Sequence, residues 1–149
     1  MKSVIFARIV CLAVCASGLG CCRSATEAVS VSAVRYDWLS RKPAPDVLRL
    51  AEGDASTVRN IVDNAERRGC TQVDVLPLAS KHPQSLVLLF EAADGSVLDC
   101  WSVDTGAGFS LSQRKWPSMK HRGGMADVKE ADRKRWYGLL GSVQQRLPR

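Results

Sequence analysis

The chain has little of what catalysis or metal binding draws on. Its only histidines, His82 and His121, stand far apart and without a cysteine or carboxylate at ligand spacing, which argues against a metal site. No Cys-x-x-Cys pair is present, so a thioredoxin-like redox site is not expected. Gly106-Ala107-Gly108 is not followed by Lys-Ser or Lys-Thr and is no phosphate loop, and no serine has a histidine and a carboxylate in a recognisable order. Neither a repeat nor a low-complexity tract divides the chain. What remains is 149 residues, 46% hydrophobic and 24% charged, the composition of one compact globular domain and too small for a multidomain enzyme.

The N-terminus reads as an address. Met1 to Arg8 carries Lys2 and Arg8 and no acidic residue, and Ile9 to Gly20 carries no charge. A basic start followed by a short apolar stretch is the pattern of an export signal, and the stretch is shorter than the roughly 20 apolar residues of a spanning helix. The small residues ahead of cysteine in Gly18-Leu19-Gly20-Cys21 resemble a bacterial lipoprotein signal. That resemblance covers the first 22 residues. It implies removal of residues 1–20, an acyl chain such as palmitate on the Cys21 thiol, and attachment to the envelope facing the periplasm. Because Cys22 or Arg23, and not Asp, follows the lipidated position, it implies the outer membrane. Taking Cys22 as the modified residue puts Leu19 three places ahead and Gly20 two places ahead, so both cysteines stand as candidates. The alternative is an ordinary soluble secreted protein cut between Ala16 and Ala25.

Beyond the signal, residues 21–35 are small and polar with isolated valines and read as a tether, with an edge strand possible through Val29 and Val31; the folded domain is expected over 36–149. Pro43 and Pro45 predict an extended turn. Val58, Ile61, Val62 and Ala65 recur at helical spacing over Ser56–Arg68, with Asp54 or Ser56 as the starting cap and Gly69 as the end cap. Strands are expected at Thr71–Leu78, Ser85–Ala92 and Val97–Val103, the last two joined at Asp94-Gly95 so that Phe90 faces Asp99, Leu89 faces Cys100 and Leu88 faces Trp101. One face of that hairpin then carries Leu86, Leu88, Phe90, Val97, Trp101 and Val103, and the other Val87, Leu89, Leu98 and Cys100. A helix from about Ala126 to Leu147, which Gly138 and Gly141 threaten to split, completes an α+β fold: helix, three-stranded antiparallel meander, and a C-terminal helix packed on one face.

Export would place Cys70 and Cys100 in an oxidising compartment, where a disulfide between them closes a loop of about 31 residues, worth on the order of 3–4 kcal/mol. Asp104-Thr105-Gly106-Ala107, with Leu139-Leu140-Gly141, resembles the active-site elements of aspartic proteases over about seven residues. That chemistry needs two aspartates sharing a proton, hence an obligatory homodimer, and ordinary turn chemistry explains the tetrapeptide equally. Charge is the stronger signal. Residues 21–113 hold 9 basic and 12 acidic side chains, whereas 114–149 hold 10 basic and 3 acidic. Arg114, Lys115, Lys120, His121, Arg122, Lys129, Arg133, Lys134 and Arg135, interleaved with Trp116 and Trp136, make a basic stretch, in which Arg114, Lys115, Arg133, Lys134 and Arg135 are expected to form a binding surface for an acidic protein or for anionic lipid headgroups. The competing explanation is a solvated helix face paired with Asp127, Glu130 and Asp132. Nucleic acid is a poor partner for an exported chain. The sequence therefore points to a non-catalytic, lipid-anchored envelope binding module without a cofactor, an immunity-type inhibitor or an accessory of an envelope assembly; a small envelope hydrolase using Asp104 is the alternative.

Overall fold

The computed structural model describes residues 28–68, 84–103 and 108–148. Strands hold 47% of these residues and helices 29%. The architecture is one seven-stranded antiparallel sheet with two helices, and not a helix with a three-stranded meander. In chain order the elements are β1 (Ser30–Asp37), β2 (Lys42–Arg49), α1 (Glu52–Asn64), β3 (Glu66–Arg68), β4 (Gln84–Glu91), β5 (Val97–Val103), β6 (Ser110–Lys115), β7 (Lys120–Asp127) and α2 (Glu130–Arg146). Across the sheet they run β2-β1-β4-β5-β6-β7-β3, each antiparallel to its neighbours.

Both helices press on one face. Val58, Ile61 and Val62 of α1 and Trp136, Leu140 and Val143 of α2 meet Val31, Ala33, Leu86, Leu88, Phe90, Trp101, Val103, Leu111 and Ala126 from the strands. Each such aliphatic or aromatic side chain gains about 1.5–3 kcal/mol on burial, enough to override weak local propensity. The opposite face holds a smaller cluster of Val34, Tyr36, Trp38, Val87, Leu89, Cys100 and Met119. Strands β1 and β4 are therefore buried on both sides, which accounts for the near-continuous apolar run of β4.

Several sequence expectations change here. Ser30–Arg35, read as tether, form most of β1, a central strand between β2 and β4. Pro43 and Pro45 lie within β2, an edge strand, where a missing N–H is tolerated. Helix α1 begins earlier, with Ala51 as N-cap and no side-chain cap, and ends at Asn64. Arg67 and Arg68 leave the helix because Glu66–Arg68 pair with Met125–Asp127 of β7. Helix α2 runs unbroken through Gly138 and Gly141, while Ala126 belongs to β7. Thr71–Leu78 and Gly69 lie outside the described residues.

The β4–β5 hairpin keeps the expected pairs Phe90–Asp99, Leu89–Cys100 and Leu88–Trp101. Its loop differs: the Gly95 amide donates to the Ala92 carbonyl (3.0 Å) and Gly95 has φ +81°, a three-residue connection with a left-handed glycine. Glu91 consequently pairs with Val97, and Leu98 is the extra residue that restores register. This bulge exchanges two side chains between faces. Leu98 packs with the helix-covered core, and Val97 with the opposite cluster.

Candidate functional site

The antiparallel pairing of β5 with β6 sets the start of β5 beside the end of β6, and a groove of about 510 Å³ opens there. It is lined by Val97, Leu98, Asp99, Cys100, Lys115, Trp116 and Arg122. That volume suits a ligand group or a short segment of a partner. Lys115 and Arg122 are exposed. Lys115 precedes the hairpin turn Trp116–Met119 and Arg122 lies three residues beyond it; in the turn the Trp116–Pro117 peptide is cis and Met119 has φ +54°. Lys115 and Lys120 face each other across the turn, as do Arg114 and His121 one pair further in.

The floor of the groove is held rigidly. Buried Asp99 accepts from its neighbour's amide, Cys100 N (2.9 Å), from Trp101 Nε1 (2.7 Å) and from Gln113 Nε2 (2.8 Å). Three donors on one carboxylate satisfy a group that burial would otherwise penalise, and they fix Gln113 in place. Gly124 on β7 lies against that fixed side chain, where a Cβ would come within 2.6 Å of Gln113 Oε1.

Beside it, burial pushes the Cys100 thiol up to about 12, Asp99 adds to the rise, and the Arg114 cation opposes it. In the reduced form the buried Cys100 thiol packs 3.9 Å from Met119 Sδ. A thiol so protonated is a poor nucleophile near neutral pH.

The residues nominated from sequence scatter. Arg114 is only 8% exposed and is not part of an outer surface: its guanidinium stacks on the Trp38 ring at 5.2 Å and its Nε donates to Ser102 Oγ (3.4 Å). Arg133 pairs with Glu130 and covers the Phe109 ring at 4.0 Å, and Arg135 donates to Thr57 Oγ1 (2.9 Å) on α1. These two arginines hold α2 to its surroundings, and Lys134 between them is exposed. Lys115 alone of the five lines the groove. It is joined there by Trp116 and Arg122, while Lys120 sits across the turn; all three belong to the basic, tryptophan-interleaved stretch of the sequence. Asp99 carried a signal that was overlooked, an acidic residue in phase with Phe90 and Trp101 on an apolar strand.

Leu139-Leu140-Gly141 lies inside α2 with Leu140 buried, so the second protease-like element is helix and not a strand-borne turn. Cys21, Cys22, Cys70, His82 and Asp104 lie outside the described residues. Among the described residues, no three His, Cys, Asp or Glu side chains gather in a way that could hold a metal. No helix of the described residues is long and apolar enough to cross a membrane. Comparison with protein-family models, with curated proteins and with solved structures finds no match to this chain.

Proposed function

We propose that the protein is an exported, lipid-anchored component of a bacterial envelope that works as a non-catalytic binding module, with the groove beside the β6–β7 hairpin as its recognition site for an acidic partner. The observation that carries this reading is the groove itself: apolar walls from Val97 and Leu98, an aromatic from Trp116 and two exposed cations, Lys115 and Arg122. Apolar contact with a cationic rim attracts and orients anionic groups. The chemistry of the groove favours binding over hydrolysis. Asp99 is committed to three donors.

Attachment is tested by fractionation. The double variant Cys21→Ser with Cys22→Ser is expected to move into the soluble fraction or to stop maturing, and a double variant that matures and stays on the membrane overturns the anchor. Recognition is tested by copurification from native envelope. Lys115→Glu with Arg122→Glu is expected to lose the acidic partner, whereas Asp104→Asn, which preserves turn chemistry, is expected to keep full function. Export also includes the Cys70–Cys100 bridge in this proposal, and non-reducing peptide mass analysis of envelope-derived protein is expected to find the two linked.

A further inference from the structure

The strand registers place two distant parts of the chain at the same end of the sheet. Ser30, where β1 begins, pairs with Glu91 at the end of β4. Glu91 pairs with Val97 at the start of β5, and the antiparallel pairing of β5 with β6 brings Lys115 and the hairpin turn to that end too. From β1 to β6 is three strand spacings, about 14 Å. Residues 115–122 contain Lys115, Lys120 and Arg122, with Trp116 and no acidic residue. The acidic groups of this end are partly engaged: Glu91 Oε2 accepts from Ser32 Oγ (2.7 Å), Glu52 pairs with Arg59 (2.5 Å), and Asp94 is tied to Ser96 within its own turn (2.6 Å).

Seven peptide steps separate Cys21 from Ala28, where the described chain starts. That length reaches at most about 25 Å. An anchor on Cys21 or Cys22 would therefore join the sheet at this same end, on a short tether. We propose that the anionic partner of the groove is the membrane itself, and that Lys115, Lys120 and Arg122 dock this end of the sheet on phospholipid headgroups with Trp116 at the interface. The inference rests on the proposed anchor and names the partner of the same site. A tether that short keeps this end within reach of the headgroup layer, where exposed cations add an electrostatic contact to the lipid anchor. Aromatic and basic side chains together suit the headgroup layer.

The test is co-sedimentation of the full chain with vesicles of pure phosphatidylcholine and with vesicles containing phosphatidylglycerol; because Lys2 and Arg8 also favour the anionic vesicles, the preference is read against the triple variant below, which keeps both. Binding is expected to be stronger to the anionic vesicles and to weaken with salt. The variant Lys115→Glu/Lys120→Glu/Arg122→Glu is expected to lose that preference by on the order of 100-fold or more, and Lys134→Glu on α2 to retain it, each with an unchanged circular dichroism spectrum. Equal binding to both vesicles, or a triple variant that binds anionic vesicles like the parent, overturns the proposal. So does competition by millimolar inorganic phosphate at constant ionic strength, which would mark a site for a free anion, or capture of an acidic protein that vesicles do not displace. Mass measurement of Cys21 and Cys22 acylation reports separately on the anchor.

Discussion

The hairpins β4–β5 and β6–β7 are built alike and spend their side chains differently. In β4, Leu86 to Phe90 are all buried, and β5 adds Asp99 to Val103. Strand β6 buries Leu111 and Gln113 on one side and Arg114 on the other, while β7 buries Ala126 of its eight residues. The first hairpin is filled by the core. The second joins that core through a few small or polar contacts and turns its cations outward at the tip. The difference teaches that neighbouring hairpins of one sheet can divide a filled core from an outward cationic tip, with Asp99 and Gln113 as the joint between them.

The comparison can be broken at the core hairpin first. Trp101→Ala removes a fully buried side chain and the donor to Asp99, and is expected to cost about 3–5 kcal/mol in urea unfolding; a loss below about 1 kcal/mol would show that β5 is not the structural partner. Gly124→Ala probes the joint. Its Cβ would meet Gln113, which Asp99 holds in place, and calorimetry is expected to find a destabilisation of about 1–3 kcal/mol.

Cys100 gives a smaller, pH-dependent effect in the reduced protein. Its folded pKa is raised from 9.0 to about 12, so the unfolded chain loses the thiol proton first as pH rises. The contribution is fully present below about pH 9 and lost through the window up to about 12. Parent protein should lose stability between pH 9 and 11 faster than Cys100→Ala, and parallel pH profiles would contradict it. The smallest stability change is expected where the binding change is largest. Reversing Lys115, Lys120 and Arg122 to Glu should move the urea midpoint by no more than about 0.5 kcal/mol equivalent. A large shift would mean that the β6–β7 tip is structural after all.

Legibility in the sequence followed the same division. Strands β4 and β5 stand out by apolar content, and the pairing of Phe90 with Asp99 followed from counting away from Asp94-Gly95. The exchange of Val97 and Leu98 did not, because the three-residue loop and its bulge depend on Gly95 taking a left-handed conformation. Helix α1 was visible through Val58, Ile61 and Val62, but its end was not: Ala65 continues the helical spacing, and only the distant strand β7 draws Glu66–Arg68 into the sheet. Strands β2, β6 and β7 left little trace. Prolines conceal β2, and Ser, Gln, Arg and Gly replace the alternating apolar residues expected of β6 and β7. The basic stretch was found as composition, yet proximity within it could not be read. A strand pleat buries Arg114 and exposes Lys115 one residue later.

The two outermost strands of the described sheet have a consequence for the protein at high concentration. One rim of the sheet is β2, with Pro43 and Pro45 lacking amide donors and Lys42 and Arg49 at its ends; the other is β3, three residues long and wholly charged. Crowded molecules meet edge to edge, and a rim of free amides and carbonyls would let them zip into ribbons. Rims of proline and charge deny a neighbour its template, so the sheet can be packed densely without polymerising.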